Sequence, residues 1–235
     1  MNDFKYVGSE LDLFAAVKNW KSYWSSQVRP FLGRDIVEVG AGMGSNIDFL
    51  DPLRPGHTVC LEPDPALTAQ LCARLNQRDT QRTWEATCGT LSSLRGRKFD
   101  TIVYFDVLEH IEGDREELNT AAKMLNPGGR IIVLSPAHQS LYAPFDAAIG
   151  HFRRYDRSML RAISPEGLRL ERLRYLDSVG MFASSANRLF LQQSMPTASQ
   201  LRFWDGTMVP VSTVIDRLLF YAIGKSILAV WQLST

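Results

Sequence analysis

The chain has 235 residues, 45% of them hydrophobic and 22% charged. That balance suits one large globular domain, or a core domain with an insertion, and excludes a disordered, collagenous or coiled-coil chain. With 26 basic against 25 acidic residues, no global field recruits nucleic acid or an anionic membrane.

The first residues carry no basic stretch followed by an apolar one, so no signal peptide is expected. Residues 10–27 read as one amphipathic helix, with Leu11, Leu13, Phe14, Val17, Trp20 and Trp24 near three-to-four spacing and Ser9-Glu10 as the start signal. Short β-rich runs follow at Ile36–Val39, Thr58–Leu61, Thr83–Thr87, Thr101–Phe105, Arg130–Leu134, Leu168–Tyr175 and Ile227–Trp231. Helical patterns at Ala66–Leu75 and Glu116–Leu125 lie between the earlier runs. Strands alternating with helices predict a mostly parallel sheet covered on both faces. The last two strands are separated by residues 177–226, which hold helical patterns at Val179–Gln193 and over Val211–Ala222. Those helices are open to two readings: added core packing, or a lid or partner-facing surface. The stretch Val209–Trp231 is interrupted by Asp216, Arg217 and Lys225, too often for a spanning helix; a helix lying on a membrane surface stays open. Cys60, Cys72 and Cys88 make an odd set without Cys-x-x-Cys spacing, each in an apolar stretch. Buried, reduced thiols in a cytoplasmic protein are expected.

The densest signal is Glu38-Val39-Gly40-Ala41-Gly42-Met43-Gly44, after a strand and before a predicted helix at Ser45–Leu50. Glycines there let the backbone turn sharply and approach a ligand closely. A nicotinamide-dinucleotide loop would need glycine where Ser45 stands. Glu38 before the loop favours a ligand with a positive group. Glu62 ends the second strand, twenty residues after Gly42, where such sheets present a carboxylate to ribose hydroxyls. Together these describe a nucleoside carrying a cationic amino-acid tail.

Phe99–Ile111, with Asp106-Val107-Leu108-Glu109-His110, and Leu125-Asn126-Pro127-Gly128-Gly129 continue the pattern in order. Over residues 30–175 the chain resembles the class I S-adenosylmethionine-dependent methyltransferases. The resemblance implies an α/β, Rossmann-like, seven-stranded, mostly parallel sheet with helices on both faces, an N-terminal helix and a helical insertion before the last strand. It divides a single methyltransferase domain, 1–235, into an N-terminal segment 1–29, a cofactor core 30–176, an insertion 177–226 and a last strand 227–235. By resemblance Gly40, Gly42 and Gly44 wrap the methionine part, Glu38 orients the loop and amino group, and Glu62 with Pro63 takes the ribose. Asp64 is read either as a further contact or as a helix cap. Thr90 stands where the family usually has an acid facing adenine, so its hydroxyl or the Leu91 backbone N–H would serve. Asp106 and Val107 complete the implied cofactor set. The cofactor is S-adenosylmethionine and the product S-adenosylhomocysteine. Trp20, Tyr23 and Trp24 either pack in the core, the default, or close over the cofactor.

On the acceptor side, His110, His138 and His151 fall after the fourth and fifth strands, and Gly150-His151-Phe152-Arg153-Arg154-Tyr155 resembles a G-H-x-R-R-Y signature of a bacterial subgroup. His110, His138, His151, Arg153, Arg154 and Tyr155 are the candidate catalytic residues, with structural histidines as the competing reading. Arg153 and Arg154 either clamp an anion or answer the acidic stretch 100–117, which holds seven acids and Arg115. Asp106-x-x-Glu109-His110 resembles a magnesium pattern of some O-methyltransferases but also occurs in metal-free relatives; no metal is expected. The predicted function is O-methylation of an anionic small or lipid-linked metabolite. A non-catalytic cofactor-binding module and an NAD-dependent oxidoreductase are the alternatives. No nucleic-acid substrate is expected, because the Asn/Asp-Pro-Pro-aromatic motif is missing after the fourth strand. Peripheral membrane contact remains open.

Overall fold

The computed structural model describes residues 6, 11–50, 55–78, 82–190 and 197–234, the side chains of Asp12 and 185–190 excepted. All seven expected strands are present: β1 (Asp35–Val39), β2 (His57–Glu62), β3 (Thr83–Cys88), β4 (Phe99–Phe105), β5 (Leu125–Pro136), β6 (Leu168–Leu176) and β7 (Ser226–Leu233). They form one sheet in the order β3-β2-β1-β4-β5-β7-β6. Pairing is parallel from β3 through β5, while β7 runs antiparallel to both β5 and β6. This is the Rossmann-like arrangement expected. The strand order reverses between β1 and β4, so ligand-binding loops gather at their carboxyl ends.

Period-two alternation sorts the core into two layers. Val37, Val59, Ile102, Tyr104, Ile131, Val133, Ala229 and Trp231 face one cluster, with α4 (Asp114–Ala122) and α6 (Arg157–Ala162) on that side. Val103, Phe105, Ile132, Leu134, Leu228 and Val230 face the other, shared with Trp20, Trp24 and Phe31. The central strands are mostly apolar because both faces are covered, with Glu38, Thr58 and Thr101 as buried polar exceptions. In β3, at the sheet edge, no residue is fully buried.

The expected helix over 10–27 is two helices, α1 (Leu11–Ala15) and α2 (Asn19–Val28). The new start is stabilised from far along the chain: the Asp205 carboxylate accepts from the backbone N–H groups of Lys18, Asn19 and Trp20. Those are the donors a helix start leaves without partners. Ser9 and Glu10, the expected start signal, lie outside the described residues. Trp20, Tyr23 and Trp24 are core residues, as the default reading held.

Ser45–Leu50 is a run of turns instead of a helix. Its carbonyls are taken by side chains of α2: Lys21 Nζ donates to Ser45 O at 3.0 Å and Ser25 Oγ to Phe49 O at 2.6 Å. Phe49 N–H turns instead to Asn46 O. Between β2 and β3 lies α3 (Pro65–Leu75), capped by Asp64, whose carboxylate accepts from Ala66 and Leu67 N–H. That settles Asp64 as a helix cap. Of the cysteines only Cys60 is buried; Cys72 and Cys88 are exposed, and all three are free. The correction has a simple cause, since Cys72 follows the core-facing Leu71 on α3 and Cys88 ends the edge strand β3.

After β5 comes α5 (Pro144–Ala148). Between β6 and β7 lie α7 (Ser178–Phe190), α8 (Ala198–Phe203) and α9 (Val209–Leu218). The expected helix to Gln193 thus runs to Phe190, and 191–193 fall outside the described residues. The helix expected to Ala222 stops at Leu218, and Phe220 and Tyr221 take left-handed backbone angles. Two buried aspartates hold the insertion. Asp216 accepts from Asp177 N–H, Ser178 N–H and the Tyr23 hydroxyl. Asp177 accepts from Gly180 N–H, Ser212 Oγ and Trp204 Nε1. Phe182, Phe203, Val214, Leu218 and Phe220 remain exposed on these helices and the turn after α9. Among the described residues no helix is long and apolar enough to cross a membrane.

Candidate functional site

The glycine loop leaves β1 with Gly40, Gly42 and Gly44 all at positive φ. A Cβ on Gly40 would lie 2.6 Å from Val107 Cγ2, so Val107 packs against the loop from below. Among the described residues a Cβ on Gly42 would meet only Leu11, at 4.0 Å, which leaves room for a ligand to approach the backbone. Glu62, at the end of β2, accepts from Gly42 N–H at 2.8 Å and Asp64 N–H at 2.9 Å. It therefore ties the loop to the end of β2. Burial pushes its pKa up, opposed by those two backbone donors.

Glu38 is buried. One carboxylate oxygen accepts from Asn46 Nδ2 at 3.0 Å, and the other has no hydrogen-bond partner among the described residues. Burial pushes its pKa up to about 7, despite the Asn46 hydrogen bond and the nearby Lys21. Burial in turn pulls Lys21 down to about 8. An unsatisfied buried carboxylate oxygen beside an open glycine loop fits the ammonium of an amino-acid tail.

Thr90 is exposed at the end of β3, its hydroxyl paired with Ser92 Oγ. The Leu91 side chain is buried in the core, so only its backbone is placed for ligand contact. Pro63 lies between Glu62 and Asp64, with Cys88 Sγ 3.9 Å from its carbonyl. Tyr6 N–H donates to Asp64 Oδ2, and the Tyr6 ring meets His110 edge-on with centroids 6.0 Å apart. Tyr6 thus links Asp64, after β2, to His110, after β4.

Asp106 follows β4 with φ of 53°, a conformation that costs an ordinary residue energy. It contacts solvent, yet the enclosing protein raises its pKa to about 6, against the pull of His151, Lys225 and Lys21. Asp106 is thus a solvent-exposed carboxylate at the carboxyl end of β4.

The acceptor-side residues divide into two groups. His151 Nδ1 lies 2.9 Å from Asp146 Oδ1. Arg154 grips the same carboxylate through two nitrogens, at 2.9 and 3.0 Å. Although burial opposes it, these contacts hold Asp146 below the usual carboxylate range. His151 Nε2 points toward Glu109 Oε1 at 3.8 Å, and that oxygen has no hydrogen-bond partner among the described residues. Glu109 is fully buried, its other oxygen accepts from Ser135 Oγ, and burial and Asp106 push its pKa well up. The His110 ring packs edge-on to His151, with centroids 4.5 Å apart, and burial with His151 lowers its pKa to about 4. Donor atoms of Glu109, His110 and His151 lie within 4.8 Å of one another, a set that could hold a metal ion; Asp106 is not part of it.

The remaining candidates are engaged elsewhere. His138 lies with Nε2 3.1 Å from Gly224 O and its ring stacked on Tyr175 at 4.6 Å. Tyr155 is buried and donates to Asp114 Oδ2 at 2.8 Å. Arg153 pairs with Asp114 and donates to Glu112 O, which is the acid-answering arrangement. Arg154 is held by Asp146, so no paired clamp is left open. Asp146 escaped sequence reasoning: it stands five residues before His151, in a segment with no motif of its own.

Residues 37–131 match the protein family described as "Methyltransferase domain". This segment runs from β1 into β5 and holds the glycine loop, Glu62 and Asp106. A "Probable S-adenosylmethionine-dependent methyltransferase" of Mycolicibacterium smegmatis is 26% identical over 152 residues, 64% of this chain and 56% of that protein. A demethylmenaquinone methyltransferase of Tropheryma whipplei is 27% identical over 129 residues, 54% of this chain and 52% of that protein. The chain thus spans about half the length of the curated relatives it matches. Among solved structures, the CcbJ methyltransferase from Streptomyces caelestis superimposes with a TM-score of 0.64 at 12% identity, covering 100% of both chains. Fold, domain match and relatives together support the class I S-adenosylmethionine-dependent methyltransferase superfamily.

Proposed function

We propose that the protein is an S-adenosylmethionine-dependent methyltransferase that methylates an oxygen of a small or lipid-linked anionic metabolite. The observation that carries this reading is the Glu62 carboxylate, bound to Gly42 N–H beside the unsatisfied oxygen of Glu38. One acid suits a diol and the other an ammonium, on either side of a loop that admits close approach. The cofactor, when bound, supplies an electrophilic methyl group on a sulfonium. Glu38, Glu62 and the glycine loop would hold it at the carboxyl end of the sheet, the edge that also carries Asp106. Alignment and exclusion of water then supply much of the rate. His151, oriented by Asp146, is the group that takes a proton from an acceptor hydroxyl. The described insertion helices α7, α8 and α9 precede β7 and would wall the acceptor side.

Thermal shift separates the readings of the cofactor: S-adenosylhomocysteine is expected to stabilise the protein and NADH to leave it unchanged. The reverse order sinks the proposal. Transfer of labelled methyl to a pooled set of carboxylates, phenols and glycolipids then tests catalysis. His151→Asn is expected to lower that transfer by about a hundredfold, with S-adenosylhomocysteine affinity unchanged. Cofactor binding with no transfer to any oxygen acceptor would leave a binding module. Transfer that persists after chelation shows that the Glu109–His110–His151 set needs no metal.

A further inference from the structure

Lys225 is a charged residue the proposed reaction has not used. It directly precedes β7, its N–H donating to Asp177 O and its carbonyl accepting from Ala137 N–H. Ser226 pairs with Pro136 at the carboxyl end of β5, while Asp106 N–H donates to Leu134 O on the same strand. Lys225 and Asp106 therefore occupy the same sheet edge, and each is within electrostatic reach of the other. The Lys225 ammonium is half-buried. It lies over the Trp204 ring, 4.9 Å from the centroid. Among the described residues it belongs to no ion pair within 4.0 Å. The carboxylates of Asp177, Asp106 and Asp146 act on it only from farther away, and Arg154 adds a like charge.

An ammonium has three donors, and a partly desolvated one with an aromatic face on one side lacks oxygen partners on the others. We infer that Lys225 anchors an anionic oxygen of the acceptor, carboxylate or phenolate, and is the specificity-determining cation of this site. It does what the Arg153–Arg154 pair cannot, because each guanidinium there already holds a protein carboxylate. Its position suits an anchoring role. Lys225 and Trp204 belong to the insertion side, across the sheet edge from the cofactor loop, so an acceptor held there faces Asp106. Burial lowers the Lys225 pKa, and an anion in contact would restore the charged form.

This inference rests on the methyltransferase reading, and the test keeps the two apart. Benzoate and its neutral analogue benzyl alcohol are titrated into the protein saturated with S-adenosylhomocysteine. Wild type is expected to bind benzoate at least tenfold more tightly than benzyl alcohol. Lys225→Met is expected to lose that tenfold preference and keep S-adenosylhomocysteine affinity within twofold, and Lys225→Arg to keep most of the preference. Because Lys225 also balances Asp177, the Met variant could misfold, so a second measurement uses wild type alone. Benzoate, and not benzyl alcohol, should slow acetylation of Lys225 as followed by peptide mass spectrometry, without protecting other lysines. Equal affinity for the two probes, or benzoate binding unchanged by Lys225→Met, or no selective protection, overturns the assignment to Lys225. Failure to bind S-adenosylhomocysteine overturns the methyltransferase reading instead.

Discussion

At the scale of single residues, Glu38 decides how the cofactor end behaves with pH. Its pKa near 7 reflects burial, with Asn46 donating to one oxygen and Lys21 and Glu62 the nearest charges. Near neutrality the empty site therefore holds a mixture of acid and carboxylate. A ligand ammonium favours the carboxylate, so binding should release a proton. Below about pH 7 the site must first lose that proton, and affinity should fall by up to tenfold per pH unit. Between pH 7 and 5.5 the dissociation constant for S-adenosylhomocysteine is expected to rise more than tenfold in titration calorimetry. Buffers of different ionisation enthalpy should report the released proton. Affinity that stays flat over this range, or that falls as pH rises, sinks the assignment of Glu38. Glu38 and Glu62 were legible in the sequence because local strand and turn grammar places them. Asp146 and Lys225 were not, because each reaches the cleft through tertiary contacts that no spacing encodes. Arg153 and Arg154 were legible as a pair, but adjacency hid that each faces a different carboxylate.

Among the elements, the insertion is fastened by two buried aspartates, Asp177 and Asp216. Asp216 is fully buried and serves three donors from two directions: Tyr23 on α2, and the backbone of Asp177 and Ser178 at the start of α7. Asp216→Ala leaves these donors buried without an acceptor, at about 1–3 kcal/mol for each one not rescued by water. A loss of about 4 kcal/mol should lower the melting temperature of a chain this long by roughly 10 °C. Tyr23→Phe keeps the two backbone bonds and should cost only about 1 kcal/mol. A melting temperature within 2 °C of wild type for Asp216→Ala would remove the aspartate as a fastening point. The strands were legible because apolar runs bounded by turn residues carry their own period. The break in the 10–27 helix was not, since it depends on Asp205, almost two hundred residues away. The turn at 45–50 was hidden for a related reason: α2 takes the carbonyls that a helix there would need.

For the whole molecule, the decisive strand is the last one. β7 lies between β5 and β6, and it is the strand that joins β6 to the sheet. Ile227, Leu228, Ala229, Val230 and Trp231 are all fully buried, supplying both core layers at once. Trp231 is fully buried in one layer and donates through Nε1 to Ser164 Oγ. Trp231→Ala should cost about 3–5 kcal/mol, the range for a large aromatic removed from a core. A chain ending at Lys225 should lose far more, because β5 and β6 would each expose an unpaired edge. The insertion would also lose its exit into the sheet. Such a chain is expected to elute as aggregate and to show neither a cooperative urea transition nor near-ultraviolet circular dichroism. The point mutant should elute as the wild type does, with an earlier transition. If the truncated chain instead unfolds cooperatively as a monomer, β7 is an accessory strand, and the acceptor wall at Lys225 could not depend on its pairing.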